Sequence, residues 1–369
     1  GKLGEISRFN LMASINVGAQ SGNLGYLRGE TCQSIFLDFL RIYKTSRKEL
    51  PIVISQHGKV YRNEIAPRNG LLRCREFEQL ETELFFDADE IDKTPIDLET
   101  IEDYKIRLYL LKDNCEKEYT IKEINEQKIS VGKIITYYLY LTQKFLEDLG
   151  FKKENIRYRE VPENDKAFYS KQTFDLEVLF NEDEWIELFS VNYRTDHDLK
   201  SHGLGSKKEL LVSENGKKIT PHVLEICSIG LDRLFLVLLE NSFCVKQVND
   251  ENRNVLLLKP KISPYFCSIL PLMKKDGLFE KATDILNTIK EKNPRFEIFF
   301  DEKGSIGKRY ARLDEIGCNY CLTIDHQTLE DNTVTIRDRN SFDQKRININ
   351  DLFNILENLY FEKIDFKDL

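Results

Sequence analysis

The sequence predicts an α+β protein with two folded units: a mainly antiparallel sheet flanked by helices, followed by a smaller α/β unit. Three observations support this fold class. Several strand-like runs precede any regular alternation of strands and helices, which is typical of an antiparallel sheet with helices packed on it. A polar stretch at residues 249–253 has the composition of a linker. Beyond it strands and helices alternate, which indicates a mostly parallel sheet.

In the first unit, short runs rich in alternating apolar residues predict half-buried strands. These runs are residues 51–55, 59–62, 81–86, 155–161, 174–180 and 185–189. One longer segment differs, because apolar residues recur at helical spacing over residues 131–149 and Gly150 follows as a helix stop. The first domain is therefore predicted to span residues 1–248.

In the second unit, residues 255–258, 267–270, 296–300 and 318–324 predict strands, and residues 333–337 predict an edge strand. Residues 276–292, 305–316 and 350–361 predict helices, and Ser305 is a candidate N-cap. The second domain is predicted to span residues 254–369. No internal repeat or low-complexity tract is present.

The composition indicates a globular protein, with 369 residues of which 41% are hydrophobic and 31% are charged. No apolar run approaches the roughly 20 residues of a membrane span. The net charge of −8 argues against nonspecific nucleic-acid binding, but a local basic patch stays possible. The eight cysteines form no disulfide pattern, which favours a cytoplasmic location. Cys318-x-x-Cys321 has no second pair at zinc spacing, so we expect structural cysteines.

The segment richest in chemistry is residues 61–77, Tyr-Arg-Asn-Glu-Ile-Ala-Pro-Arg-Asn-Gly-Leu-Leu-Arg-Cys-Arg-Glu-Phe. Two strand-like arms flank a loop with proline, asparagine and glycine, which predicts a hairpin. Its guanidinium groups could bind phosphate or carboxylate bidentately, and an aromatic ring could stack on a base. A solvated ribbon with cross-strand ion pairs would have the same composition. Composition alone leaves both interpretations open.

This segment resembles motif 2 of the class II aminoacyl-tRNA synthetases, and in detail that of the glycyl-tRNA synthetases. The resemblance continues through residues 9–12, 25–33, 185–188 and 194–199, and through residues 230–233, which are similar to the end of motif 3. In the second unit, residues 304–317 and 333–339 resemble the anticodon-binding domain of the same family. The segments occur in the family's order over nearly the whole chain.

The resemblance implies an enzyme that activates glycine with ATP and Mg²⁺ and then transfers it to tRNA(Gly). It implies an ATP site at Arg62, Asn63, Glu64, Leu72, Arg73, Arg75, Phe77, Glu187, Leu188, Gly230 and Arg233. It implies a glycine site at Glu30, Phe77, Gln79, Glu81, Arg194, Glu225 and Ser228. Arg62, Glu187 and Arg233 would be catalytic, and Glu187 would bind Mg²⁺. Lys308, Arg309, Arg312, Arg337 and Arg339 would contact tRNA.

Two departures from the family pattern bear on these roles. The family's Glu-x-Ser-x-Gly corresponds here to Glu225-Ile-Cys-Ser-Ile-Gly230, with one extra residue. Either a β-bulge returns Glu225 to the glycine pocket, or one ligand of the ammonium group is lost and Ile226 takes its place. The family's motif 1, which builds the dimer interface, has no counterpart in these residues. We expect a homodimer when the upstream region is present.

The chain has no arrangement of serine, histidine and aspartate that suggests nucleophilic catalysis, and activation of a carboxylate by ATP does not require one. A protein with this fold that has lost activation and serves as a nucleic-acid-binding or accessory subunit is the alternative function. Because all the residues assigned to ATP are present, the sequence favours catalysis.

Overall fold

The computed structural model describes residues 9–18, 22–181, 183–214, 216–248 and 251–369. The chain divides into two compact units, Gly1–Leu238 and Leu239–Leu369. This division lies upstream of the linker that the polar composition predicts at residues 249–253. Of that stretch, Glu251, Asn252 and Arg253 lie in a strand, so the linker interpretation is wrong for them. An exposed two-stranded ribbon has the same polar composition as a linker.

The first unit is built on strands, most of which join one large sheet. They are β1 (Ser14–Val17), β2 (Asn23–Tyr26), β3 (Ile52–Tyr61), β4 (Glu76–Phe86), β5 (Lys105–Leu110), β6 (Cys115–Thr120), β7 (Ile156–Glu160), β8 (Gln172–Phe180), β9 (Glu184–Thr195), β10 (Val212–Glu214), β11 (Lys217–Ile219) and β12 (His222–Gly230). The helices are α1 (Cys32–Ser46), α2 (Ile121–Glu126), α3 (Lys133–Leu149), α4 (His197–Ser206) and α5 (Leu231–Ser242), which runs across the division.

The large sheet has eight strands in the order β3-β4-β12-β9-β8-β7-β5-β6. All neighbouring pairs are antiparallel except β5 and β7, which confirms the prediction of a mainly antiparallel sheet. The predicted runs at residues 51–55 and 59–62 belong to one strand, β3. The predicted helix at 131–149 is confirmed as α3, and Gly150 ends it in the left-handed conformation with φ of 102°.

Helices cover both faces of this sheet, so its central strands are buried on two sides. Side chains of α3 such as Leu139 pack with Leu176 and the rest of the main core. On the opposite side, Phe36 and Phe39 of α1 pack against Phe85 of β4. Alternate side chains of β4 point to opposite faces. Leu80, Leu84 and Phe86 of β4 therefore face the main core, whereas Glu81, Glu83 and Phe85 face the side of α1.

The second unit begins with the hairpin β13 (Phe243–Val248) and β14 (Glu251–Leu256). Its other elements are β15 (Cys267–Pro271), α6 (Leu278–Lys292), β16 (Ile298–Phe300), α7 (Ile306–Glu315), β17 (Tyr320–Ile324), α8 (His326–Asp331), β18 (Thr333–Asp338), β19 (Gln344–Asn348) and α9 (Ile349–Tyr360). The sheet order is β16-β15-β17-β18-β19, in which the first three strands are parallel and the last two are antiparallel.

Three details of the second unit differ from the sequence prediction. The strand at 333–337 is internal, because β19 pairs with it and takes the edge. Ser305 occupies the N-cap position of α7, but its side chain makes no capping hydrogen bond. Cys318 precedes β17 and lies in one apolar cluster with Cys321, so the opposite faces expected for strand positions i and i+3 do not apply. Among the described residues, no helix combines the length and apolar character that crossing a membrane requires.

Candidate active site

A cavity of about 480 Å³ opens in the first unit where β4, β12, β9 and β8 lie side by side. It brings together fifteen of the residues that the sequence predicts for ATP or glycine. They are Glu30, Arg62, Glu64, Leu72, Arg73, Phe77, Gln79, Glu81, Glu187, Leu188, Arg194, Glu225, Ser228, Gly230 and Arg233. These positions are spread over 204 residue numbers of the chain, from 30 to 233, so the cavity exists only because four strands are adjacent.

Strand β4 supplies the floor of the cavity through one of its two faces. Phe77, Gln79 and Glu81 alternate along β4 and line the cavity, whereas Leu80 and Leu84 on the other face pack in the main core. A strand presents every second side chain to the same side. The alternation of this segment therefore places Phe77, Gln79 and Glu81 together in the site.

Strand β12 carries the extra residue noted in the sequence, and the structure accommodates it as a bulge. The register with β4 shifts between Glu225 and Cys227. Ile226 at the bulge is 6% exposed and packs in the main core. Because the bulge changes the alternation, Glu225 before it and Ser228 after it both line the cavity. The alternative with Ile226 in the pocket is wrong, and the predicted bulge is confirmed.

One end of the cavity is a tight hydrogen-bonded group around Glu81, which is 3% exposed. Thr31 Oγ1 donates to Glu81 Oε2 at 2.5 Å, and Ser228 Oγ donates to Glu81 Oε1 at 2.9 Å. The Gln79 side-chain nitrogen donates to Ser228 Oγ at 3.0 Å and to Glu81 Oε1 at 3.2 Å. The carboxylate is thereby fixed in orientation, and little space is left beside it.

A buried arginine forms the back of this end of the cavity. Arg194 is 4% exposed and donates to both oxygens of Asp198, at 2.7 and 2.8 Å. Its third nitrogen donates to Glu225 Oε2 at 2.7 Å, and the ring of Tyr169 lies 4.1 Å from the guanidinium carbon. Burial raises the pKa of the Glu225 carboxyl, and the charge of Arg194 opposes that rise. Arg194 therefore holds Glu225 in position and favours its charged form against the effect of burial.

Glu83, the next acidic residue on the same face of β4, is fully buried. Among the described residues, neither of its carboxyl oxygens has a hydrogen-bond partner. Burial, followed by the nearby charge of Glu225, raises its pKa well above the ordinary value. A buried carboxyl group without donors and close to other carboxylates favours its neutral form. The sequence prediction did not include Glu83.

The other end of the cavity is lined by cationic and aromatic side chains. Arg62 lies with its guanidinium carbon 5.5 Å from the centre of the Phe77 ring. Arg73 forms an ion pair with Glu64 at 3.0 Å. Arg233 donates to the carbonyl of Glu187 at 2.8 Å and to the carbonyl of Leu72 at 3.3 Å. These contacts leave donor groups of three arginines around one space beside an aromatic ring.

Two carboxylates from adjacent strands line the wall between these ends. Glu187 of β9 and Asp175 of β8 both face the cavity. Burial raises the pKa of both groups, and the negative charge of Asp175 raises that of Glu187 further. Ser190 donates to one oxygen of Asp175 at 2.8 Å, and Arg159 donates to the other at 2.7 Å. Hard carboxylate oxygens are the donors that Mg²⁺ prefers, so the chemistry of these two side chains is compatible with that ion.

Two residues predicted for ATP do not line this cavity within the described part of the chain. The side chain of Asn63 donates to the carbonyl of Asn10 at 3.0 Å. Arg75 donates to the carbonyl of Glu64 at 3.0 Å. The Arg75 side chain therefore braces the hairpin backbone, and the Asn63 side chain ties the hairpin to the segment that contains Asn10. Conversely, the cavity includes residues that we did not predict, among them Arg159, Lys166, Tyr169, Thr173, Asp175, Ser190 and Asn192. Four of them, Thr173, Asp175, Ser190 and Asn192, are polar residues at alternate positions of β8 and β9, and this alternation is the sequence signal that could have identified them.

The basic residues predicted to contact tRNA in the second unit do not form one exposed cluster. Arg309, Arg337 and Arg339 are each at most 2% exposed, so the expectation is wrong for these three. Arg337 donates to both oxygens of Asp314, at 2.8 and 3.0 Å. Arg309 and Arg339 donate to main-chain carbonyls at loop and strand ends. Lys308 and Arg312 are exposed, although Arg312 also forms an ion pair with Asp301 at 2.5 Å.

Comparison with protein-family models identifies both units. Residues 20–242 match the tRNA synthetase class II core domain of the G, H, P, S and T group. Residues 267–359 match an anticodon-binding domain. The core match alone covers more than half of the chain, and it contains every residue that lines the cavity. The chain belongs to the class II aminoacyl-tRNA synthetase family.

Within this family, the chain is similar to glycine–tRNA ligases of several archaea. The chain is 33% identical to the enzyme of Thermococcus kodakarensis and 34% identical to that of Pyrococcus horikoshii, covering 98% of this chain and 76% of each relative. It is also 33% identical to the enzyme of Methanothrix thermoacetophila over 100% of this chain and 76% of the relative. The alignments extend over 442 to 444 positions, so the relatives carry segments that interrupt the match to these 369 residues.

Proposed function

We propose that this chain is a glycine–tRNA ligase that forms glycyl-adenylate from glycine and ATP and transfers glycine to the 3′ end of tRNA(Gly). The observation that carries the proposal is the division of the cavity into two ends. Fixed carboxylates occupy a confined end, and arginines with an aromatic ring occupy the other. The carboxylates can bind the ammonium group of a small zwitterion, and the arginines and the ring can bind the phosphates and the base of a nucleoside triphosphate.

Glu81 and Glu225 would bind the glycine ammonium group, with Glu30 completing the acidic end. All three line the cavity. Ser228 and Gln79, which donate to Glu81, would close the space beside the α-carbon. An apolar pocket discriminates one methyl group by only about 1–3 kcal/mol, whereas walls held by buried hydrogen bonds resist displacement. Exclusion of alanine and serine would follow from this rigidity.

In the first step, an oxygen of the glycine carboxylate would attack the α-phosphorus of ATP, and the bond to pyrophosphate would break. Arg62 would hold the α-phosphate beside the carboxylate and so reduce the repulsion between two anions. Phe77 would stack on adenine, while Arg73 and Arg233 would bind the polyphosphate. These positioned cations stabilise charge that develops on the phosphate oxygens, without a covalent intermediate on the protein.

Glu187 and Asp175 would together hold Mg²⁺, since both line the cavity and both offer the carboxylate oxygens that this ion prefers. When bound, the ion would neutralise charge on the phosphates. Ser190 and Arg159 would keep Asp175 oriented. The sequence-based assignment to Glu187 alone is therefore extended by one carboxylate.

Exchange of labelled pyrophosphate into ATP tests this function directly. We expect exchange that depends on glycine and does not respond to alanine or serine. Arg62→Ala should lower its rate about 100- to 1,000-fold, as loss of one positioned donor to a developing oxyanion does. Arg68→Ala is the matched control, because Arg68 lies on the same hairpin but does not line the cavity. Absence of exchange with every amino acid, combined with tRNA binding, would establish the accessory-protein function instead.

We further propose that the protein is a symmetric homodimer in the cytoplasm. Supporting this, the hairpin of β1 and β2 exposes Ile15, Val17, Leu24 and Tyr26, with exposed fractions from 39% to 62%. Contiguous exposed apolar residues are typical of association surfaces. Analytical sedimentation of the full-length protein should give a dimer, and a monomer at micromolar concentration would contradict this proposal.

In the second unit, we propose that only Lys308 and Arg312, of the five basic residues predicted from the sequence, contact tRNA.

A further inference from the structure

Three aromatic rings form a cluster on the loop that joins β7 to β8 and at the start of α4. The ring centres of Phe168 and His197 lie 5.2 Å apart, with an angle of 85° between their planes. Tyr169 stacks on the same His197 at 5.9 Å and 27°. Phe168 and Tyr169 are themselves 5.2 Å apart in an edge-on arrangement. The three rings therefore hold one another in place.

This cluster lies at the boundary between the cavity and solvent. Tyr169 lines the cavity and covers Arg194, whereas its neighbour Phe168 does not line it. The same loop contributes Asp165 and Lys166 to the cavity wall. Phe168 is 87% exposed, the largest exposed fraction among the large hydrophobic residues of the described chain. The Phe168 ring is therefore not part of a hydrophobic core, although it is in edge-on contact with the ring of His197.

A single exposed aromatic residue is common on protein surfaces and needs no function by itself. Two features distinguish Phe168. Its backbone neighbour contacts the arginine at the back of the glycine end, and a second ring fixes its orientation rather than leaving it free. A flat apolar face is thus presented to solvent at a defined place beside the reaction site.

The second half of the proposed reaction requires a ligand at this place. A ribose hydroxyl of the 3′-terminal nucleotide must attack the carbonyl carbon of the glycyl-adenylate, with release of AMP. The terminal base is unpaired and has no role in bond formation, so it can lie outside the cavity while its sugar enters. Proteins commonly bind unpaired bases by stacking them on exposed aromatic rings.

We propose that Phe168 is the stacking platform for the base of the 3′-terminal tRNA nucleotide during glycyl transfer, with His197 as the positioning residue that supports its ring. This inference rests on the proposed ligase function. The ATP adenine is assigned to a different ring, Phe77, within the cavity. Activation of glycine does not involve the tRNA, so the platform serves transfer alone.

The experiment compares two reactions of the full protein. Phe168→Ala should leave glycine-dependent ATP–pyrophosphate exchange within two-fold of wild type. It should raise the KM for tRNA(Gly), or lower the rate of single-turnover transfer from preformed adenylate, by about ten-fold, as loss of one base–aromatic stack does. Phe168→Trp should retain transfer. Leu204→Ala is the control, since Leu204 is an 84% exposed apolar residue on α4 that belongs to no aromatic cluster.

A modified substrate makes the test specific for the base. We expect tRNA with an abasic 3′-terminal nucleotide to lose about as much activity with wild-type protein as Phe168→Ala loses with normal tRNA. The two changes together should cause no further loss, because both remove the same stack. Independent, multiplying losses, or unchanged transfer by Phe168→Ala, would overturn the platform. Absence of exchange in wild type would overturn the ligase function instead, so the two failures are distinguishable.

Discussion

The two units of this protein bury charged residues in opposite ways. In the first unit, Glu81, Glu83 and Glu225 lie buried around a single arginine, Arg194. In the second unit, the buried cations are arginines whose nitrogens largely donate to carboxylates and main-chain carbonyls, as Arg337 does to Asp314. Buried charge is tolerated where it is paired, and an excess of one sign requires a ligand or a proton. The acidic excess therefore indicates a binding site, and the paired arginines indicate structural support.

The largest expected effect tests the structural side of this comparison. Asp314→Ala leaves the Arg337 guanidinium, which is 2% exposed, without its carboxylate. We expect the free energy of unfolding of the second unit to fall by about 3–5 kcal/mol, since an uncompensated buried charge remains. Far-UV circular dichroism should show an earlier transition. The single tryptophan, Trp185, lies in the first unit, so its fluorescence reports that unit separately.

The matched control for this variant is Asp365→Ala. Asp365 is in the same unit, but its ion pair with Lys367 is solvent-exposed, with side chains 70% and 76% accessible. Exposed pairs contribute about 0–1 kcal/mol. Equal losses of stability in the two variants would show that the buried ion pair of Arg337 with Asp314 stabilises the unit no more than an exposed ion pair does.

The next effect concerns the acidic side. Glu225→Gln keeps the shape of a residue that is 7% exposed and removes its charge. We expect the glycine KM in ATP–pyrophosphate exchange to rise about 10- to 100-fold, because a hydrogen bond to a charged group contributes roughly 1.5–3 kcal/mol. Glu184→Gln, an exposed substitution on β9, should leave the KM unchanged. An unaltered KM for Glu225→Gln would remove this residue from the ammonium site, despite its place in the cavity.

A smaller effect, dependent on pH, is expected at Glu83. Its pKa is raised in the folded state by burial and by Glu225, so the folded protein holds a proton that the unfolded chain has lost. Stability should therefore fall as pH rises above the unfolded pKa of about 4.3, by about 1.4 kcal/mol per pH unit, until the folded pKa is reached. Below pH 4 the group contributes no such dependence, because it is protonated in both states.

Glu83→Gln should remove this part of the pH dependence. The melting temperature of the variant relative to wild type should increase from pH 4 to pH 8. Glu126→Gln, at an exposed position of α2, should give a constant difference over the same range. Parallel melting curves for wild type and Glu83→Gln at every pH would mean that Glu83 titrates as an ordinary exposed glutamate does.

The smallest effect concerns the exposed cations of the second unit. Lys308→Ala should weaken tRNA(Gly) binding by a few-fold and lower the salt dependence of the logarithm of affinity by about one. Stability should change by less than about 0.5 kcal/mol, because Lys308 is exposed. Filter binding at several salt concentrations measures both quantities. An unchanged salt slope would place the tRNA contacts elsewhere.

The sequence predicted most regular elements of both units, because their signals are local. Helical spacing and a terminal glycine identified α3, and alternation identified β8 and β9. Polar composition failed at residues 251–253, where a solvent-exposed hairpin has no local feature that separates it from a linker. The edge assignment of β18 failed for a related reason, since strand order depends on pairing with β19 and not on the strand itself.

For the site, the sequence by itself determined which residue types are available and in what order, and fifteen of the predicted residues meet in one cavity. Only the tertiary structure decided which charges are buried. The local sequence around the arginines at positions 309, 337 and 339 does not show whether they face tRNA or the core, because burial depends on contacts between distant segments. The same reason explains Glu83 and Asp175, whose roles arise from neighbours on other strands. The bulge in β12 was determined partly by each. The extra residue was visible in the sequence, but only the packing of Ile226 in the core decided that Glu225 faces the cavity.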